Sequence, residues 1–222
     1  MGICDLVMVD APAFNNGQGL LVQIRTKARY EYSFIESAAI KIGSDVLEIG
    51  AHGAYLLNGV SNSDLTTVGG FPITLTKKTR SVSVLTIDMG AHGKVYLKAF
   101  KDLVGVKFDG FHSSDFGDSV GMMGSYENGA HVARDGKTVI EDVNEFGQEW
   151  QVLPSEPMLF QTPPTEGECV LPTPATDSSR RLGESISEEA AEIACAKSTA
   201  FEQCIYDVIA TGDLEAATAG AF

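Results

Sequence analysis

Basic residues are scarce in this chain. Sixteen lysines and arginines stand against 30 aspartates and glutamates, for a net charge of −14. So acidic a surface repels nucleic acid and anionic lipid, which argues against both as partners. Tryptophan occurs once, at Trp150, and cysteine four times without any Cys-x-x-Cys pair, so redox and zinc chemistry lack their usual spacing. No apolar run approaches the roughly 18 residues needed to cross a bilayer, so membrane insertion is not expected. Gly-x-Ser-x-Gly, a phosphate-binding Gly-x-x-x-x-Gly-Lys loop and His-Glu-x-x-His are all absent. The opening Met1-Gly2-Ile3-Cys4-Asp5-Leu6 has neither the basic stretch nor the long apolar core of a secretion signal. Either the protein is intracellular or Met1 is not its natural beginning.

What is present reads as β structure. The stretch Leu20–Lys27 ends in apolar/polar alternation, and short apolar runs follow at 38–42, 46–49, 54–57, 73–76, 82–87, 95–100 and 104–108. Turn residues break them at Gly43-Ser44-Asp45, Asn58-Gly59, Gly69-Gly70 and Asp109-Gly110. Many short strands with such breaks predict an antiparallel sandwich, and no helix-length pattern intervenes to support a parallel sheet. Gly-Ala-His-Gly occurs at 50–53 and 90–93, each time between two strand-like runs, which predicts hairpin turns rather than a metal site shared by His52 and His92. Phe146 and Trp150, four apart, share a face of a short helical turn and are expected to close one end of the sandwich. Gly121 and Gly124 are expected where the last strand passes close to neighbouring backbone.

Composition shifts after Trp150. Six of the eight prolines fall between 154 and 174, which predicts an extended linker over 154–184. Residues 141–222 hold 16 acidic groups and only three basic ones, Arg180, Arg181 and Lys197. A capping-box spacing at Ser185-Ile186-Ser187-Glu188 starts a helix, and a second is expected from Ala200 to Thr211, stopping at Gly212. Cys4, Cys169, Cys195 and Cys204 allow two disulfides in three connectivities, or ordinary buried thiols.

Three stretches carry a resemblance: Gly121-Met122-Met123-Gly124-Ser125-Tyr126-Glu127, Arg134-Asp135-Gly136-Lys137, and Asn144-Glu145-Phe146-Gly147-Gln148-Glu149-Trp150. Together with Gly2-Ile3-Cys4-Asp5-Leu6-Val7-Met8 they resemble the von Willebrand factor type D domain over about residues 2–152. The resemblance implies a disulfide from Cys4 to Cys169, leaving Cys195 and Cys204. Nine residues apart, those two stand about 13 Å apart along one straight helix, so their bond requires a turn between two helices, at Ser198-Thr199. The family has a cysteine where Met123 stands, so one of its bonds is missing. The resemblance also implies that an opening strand and the secretion signal precede Met1. Calcium is the one cofactor it implies, held by oxygens of Glu127, Asn128 and Asp135, although the family's paired aspartates have no counterpart.

The chain is therefore expected to be a β-sandwich of type D kind over 1–153, a linker over 154–184 and a helical tail over 185–222. Its expected role is a non-enzymatic extracellular or cell-surface module, structural or adhesive, that contacts other extracellular proteins, matrix or copies of itself. A carbohydrate- or lipid-binding sandwich is the second reading, with Tyr30, Tyr32 and Phe34 as its candidate contacts. A hydrolase using Asp115, Asp118, Glu141 and Asp142 is the third.

Overall fold

The computed structural model describes residues 4–29, 32–61, 66–77, 82–163, 186–198 and 201–217. It is mainly β, with two antiparallel sheets. The first orders β1 (Asp5–Ala11), β2 (Leu20–Arg29), β3 (Tyr32–Ile42), β4 (Asp45–Ile49), β5 (Tyr55–Leu57) and β6 (Val60–Ser61) as a meander. The second orders β11 (Leu103–Asp109), β10 (Lys94–Phe100), β9 (Val82–Asp88), β8 (Phe71–Lys77) and β7 (Thr67–Val68) in the same way.

Alternation sets which side chains meet. Leu6, Val22, Ile24, Ile40 and Leu47 of the first sheet pack against Ile73, Leu85, Ile87, Val95 and Leu97 of the second in one buried cluster. This is the sandwich the alternation predicts. Both Gly-Ala-His-Gly stretches form 3-10 turns, one between β4 and β5 and the other between β9 and β10. Gly53, Gly90 and Gly93 take positive φ there, as tight reversals require.

Each outward face carries a further layer over part of its area. On the first sheet, Val7 points away from the core and packs with Phe146 and Trp150, the latter 1% exposed. Phe146 lies in α3 (Val143–Glu149), and Asp142 caps it by accepting from the amides of Asn144 and Glu145. The aromatic pair thus shares a face, but it does not close the gap between the sheets. It covers the outer side of β1, because Val7 sits on the opposite side of the strand from Leu6. The same edge is sealed by backbone: Val7 N donates to Trp150 O, Met122 N to Val7 O and Asp10 N to Val120 O. Gly121 permits this approach, since a Cβ there would lie 2.5 Å from Met8 O at φ +132. At Gly124 a Cβ would meet Ala130 O at 2.8 Å. Gly121→Ala is expected to cost more than about 2 kcal/mol, combining backbone strain with loss of the edge pairing. Urea unfolding monitored by circular dichroism reads this directly.

Beyond α3 the chain crosses the outer face as a strap. Gln151 bridges to Leu6, and residues 157–162 then run over β2, β3 and β4. Leu159 and Phe160 bury themselves against Ala39 of β3, with Leu21 and Val46 alongside. The first part of the proline-rich stretch is therefore fastened to the sheet, while 164–185, with Cys169, lie outside the described residues.

The second sheet carries a helical cover. α4 (Glu188–Cys195) and α5 (Phe201–Thr211) place Ala191, Cys195, Cys204 and Val208 on Val82 and Phe100. The cap of α4 is Ser187, whose hydroxyl accepts from Ala190 N, two residues later than the capping-box spacing suggested. The Glu at 188 is then the first helical residue, where its charge suits the helix dipole. Cys195 and Cys204 are joined by a disulfide across the turn between the two helices. Cys4 is disulfide-bonded as well, and no described cysteine is free.

Candidate functional site

Three buried polar side chains of the outer face hold the strap. Gln23 donates through Nε2 to Pro157 O at 2.8 Å and accepts at Oε1 from Leu159 N at 3.0 Å. Arg25 makes a bidentate pair with Asp5 at 2.7 and 3.0 Å, donates to Thr162 O at 2.8 Å and lies 4.3 Å from the Phe160 ring centre. Glu48 accepts from Gln161 N at 2.7 Å and from the Thr162 hydroxyl. Burying such groups is tolerable only because each finds its partners. Their positions alternate with core residues on β2 and β4, so in the sequence they read as a solvated face.

Between this strap and the loop ahead of β2 lies a cleft of about 380 Å³. Glu156 and Pro157 form one wall. Gly17, Gln18 and Gly19 form part of the other. That second wall is held in an uncommon conformation: Asn15 and Asn16 in α1 (Phe14–Gly17) have φ of 46° and 59°. Asparagine tolerates the left-handed region better than other non-glycine residues. The loop is braced by the Asn15 amide on Asp115 at 3.2 Å and by Gln18 Nε2 on Gly69 O at 2.8 Å.

The floor of the cleft is a cross-strand row, Asp10 opposite Leu21 and Leu21 opposite Lys41. Asp10 is half-buried, and its carboxyl is pushed above the usual carboxylate range, first by burial and then by the charge of Glu156. Glu156 itself is committed, pairing with Arg134 and accepting from Leu153 N at 2.8 Å. Among the described residues, neither the Asp10 carboxylate nor the Lys41 ammonium has a side-chain hydrogen bond or ion pair. A second cleft of about 400 Å³ lies beyond the strap, but its charged side chains Arg25, Glu36 and Glu48 are already engaged.

At the same end of the molecule His92 Nδ1 stands 2.9 Å from Asp115 Oδ2. Asp115 belongs to α2 (Ser113–Phe116), and the imidazole rests edge-on against Phe14 and Phe71. This pair ties together α1, the turn before β10 and α2. Its hydrogen bond with His92, followed by the Asn15 amide, holds the Asp115 carboxyl below its ordinary 3.8. A carboxyl depressed by folding contributes stability above that value, and the contribution is lost as pH falls through the folded value. The difference in melting temperature between the parent and Asp115→Asn is therefore expected to be full well above pH 3.8 and to narrow progressively as pH falls below it. Thermal scans across pH 2–7 measure it.

Of the calcium candidates, Asp135 and Asn128 are engaged in local turns. Asp135 accepts from the amides of Lys137 and Thr138 and from the Thr138 hydroxyl, which lowers its pKa to about 2. Asn128 Oδ1 accepts from Ala130 N at 2.9 Å, and Glu127 is exposed. Among the described residues no three His, Cys, Asp or Glu side chains converge as a metal site. The acids considered for hydrolysis stand apart in role: Asp115 pairs with His92, Asp142 caps α3, and Asp118 and Glu141 are exposed. Phe34 is half-buried opposite Lys27, while Tyr30 and the side chain of Tyr32 lie outside the described residues. Sequence reasoning missed Asp10, Gln23, Arg25, Lys41 and Glu48. Only the apolar pair Leu159-Phe160 within the proline-rich stretch hinted that something covers that face.

No protein-family model matches the chain, and no curated protein matches it.

Proposed function

We propose that the chain is a structural or adhesive module of the extracellular space or cell surface, similar to a von Willebrand factor type D domain and without catalysis of its own. The observation that supports this reading is the Cys195–Cys204 disulfide, whose two sulfurs sit at the contact between helical cover and second sheet. Such bonds persist in oxidising compartments and are rare in reducing ones. A module that transmits contacts between partners also benefits from layers tied to one another, and here each outer face carries a layer over part of its area. Its partners would be extracellular proteins, matrix or further copies of the chain, engaged through loops and strand edges.

The test has two arms. The chain secreted from cells should carry the Cys195–Cys204 bond in non-reducing mass mapping, and it should retain surface-immobilised matrix proteins in a plasmon-resonance assay. In the chain-entropy picture a loop of this length contributes about 2.5 kcal/mol, so Cys195→Ala/Cys204→Ala should loosen the helical cover by about that amount. Free thiols in secreted, folded material would overturn the extracellular reading, and failure to retain any matrix protein would overturn the adhesive one. Calcium at Glu127, Asn128 and Asp135 remains part of the proposal. Added calcium chloride should then raise the melting temperature, and an unchanged value would remove calcium from the proposal and leave Asn128 and Asp135 to their turn bonds.

A further inference from the structure

Three asparagines of this chain are followed by glycine: Asn16-Gly17, Asn58-Gly59 and Asn128-Gly129. Such a pair is chemically labile, because a glycine amide has no side chain to keep it from the carboxamide carbon of the residue before it. All three asparagines are exposed, so water reaches each of them. They differ in what holds them. Asn58 Oδ1 accepts from Val46 N at 2.8 Å and its Nδ2 donates to Asp45 at 3.1 Å. A Cβ on Gly59 would lie 3.5 Å from Gln161 Oε1, so the strap stands over that pair as well. Asn128 Oδ1 accepts from Ala130 N at 2.9 Å, and Gly129 N donates to Ser125 O at 2.8 Å. Among the described residues the Asn16 carboxamide has no hydrogen bond, and a Cβ placed on Gly17 would have nothing within 4 Å. The Gly17 amide keeps a single bond, to Ala13 O at 3.1 Å. Asn15 and Asn16 are both left-handed, with φ of 46° and 59°, so rearranging this turn relieves strain rather than adding it.

We propose that Asn16 is a site of spontaneous covalent modification, converting to isoaspartate and aspartate ahead of Asn58 and Asn128. The Gly17 amide nitrogen loses its proton to hydroxide and attacks Asn16 Cγ. The new C–N bond closes a five-membered succinimide, the Cγ–Nδ2 bond breaks, and the nitrogen leaves as ammonia with a proton from water, which restores the hydroxide. Water then opens the ring at either carbonyl, giving aspartate or an isoaspartate whose main chain runs through the side-chain carbon. Each hydrogen bond that must be released on the way slows the reaction by about fivefold. Asn16 has one to release, at the Gly17 amide. Asn58 has two on its carboxamide, and Asn128 has one there and one at its glycine amide. The product adds a negative charge beside a cleft that already holds Asp10 and Glu156. An isoaspartate also lengthens the main chain between two braces, Asn15 N on Asp115 and Gln18 Nε2 on Gly69 O, so the 17–19 wall of the cleft is the part that changes as the protein ages. This modification is independent of the adhesive reading, and neither stands or falls with the other.

The experiment incubates the folded, oxidised chain at mildly alkaline pH and follows each Asn-Gly pair by peptide mapping with mass spectrometry. Fragmentation that separates aspartate from isoaspartate identifies the product. In the folded chain Asn16 should gain the mass of amide-to-acid conversion about fivefold faster than Asn58 or Asn128, or faster still. In urea, where no fold holds them, the three should convert at similar rates. Asn16→Gln, whose longer side chain would have to close a six-membered ring, should abolish the first acidic variant to appear on anion exchange. Equal rates in the folded chain, a lead by Asn58 or Asn128, or the same lead for Asn16 in urea as in the fold would overturn the proposal. So would survival of that early acidic variant in Asn16→Gln.

Discussion

Trp150→Ala should destabilise the protein by about 3–5 kcal/mol, the range for deleting a large buried aromatic. The indole is 1% exposed and fills the space between Val7 of β1 and Phe146 of α3. Its Nε1 donates to Val132 O at 3.0 Å, so truncation also leaves a buried carbonyl unpaired. Arg134 lies 5.0 Å above the ring while donating to the carbonyls of Glu149 and Gln151, so loss of the indole also unseats the start of the strap. Trp150→Phe keeps most of the packing and forfeits the hydrogen bond, with an expected cost of about 1–2 kcal/mol. Urea denaturation of the three proteins places them on one scale. An alanine variant within 1 kcal/mol of the parent would mean that this layer is not part of the cooperative fold.

The location of that indole also marks where sequence reasoning reached its limit. Spacing alone puts Phe146 and Trp150 on one face, because a helical turn brings i and i+4 together. Which surface receives that face depends on residues more than a hundred positions away. Val7 is the receptor, and in the sequence it is one apolar residue within Leu6-Val7-Met8-Val9, a run that shows no alternation. A bulge at Met8 explains the run: Val7 pairs with Gln23 and Val9 with Val22, so the strand changes phase between them. Core positions such as Leu47, Leu85 and Leu97 were legible because their strands keep phase throughout, and Ile40 because the irregularity of its strand, at Glu36, falls before the 38–42 run.

The candidate site was less legible for a related reason. Gln23, Arg25 and Glu48 occupy the polar phase of regular strands, and alternation assigns that phase to water. Only the strap buries them, and its proline-rich composition reads as a linker when taken alone. Leu159 and Phe160 reverse that composition locally, yet nothing in the sequence states which sheet they meet. The Asp10–Leu21–Lys41 row needs the register of three strands before it becomes visible at all. His92 carried a hint as half of a repeated Gly-Ala-His-Gly, but its partner Asp115 comes from a helix too short to leave a periodic signal.

Arg25→Ala is the substitution expected to free the strap, at a cost of about 3–5 kcal/mol. Arg25 is 4% exposed and links three things at once: the Asp5 carboxylate, the Thr162 carbonyl and the Phe160 ring. Its removal leaves Asp5 with a largely buried charge and no cation, which accounts for most of the loss. Arg25→Met retains much of the apolar stem and should recover only the packing share. Asp5→Asn/Arg25→Met removes the orphaned charge as well, so it should be more stable than Arg25→Met alone. That reversal separates an ion-pair effect from a volume effect, since volume alone makes the double variant no better. The strap also ends on Glu48, so limited proteolysis should cut near residues 157–162 in Arg25→Ala before the sandwich itself unfolds. Simultaneous loss of strap and sandwich would instead make the outer layer inseparable from the core, and the cleft between strap and loop would then exist only in the fully folded chain.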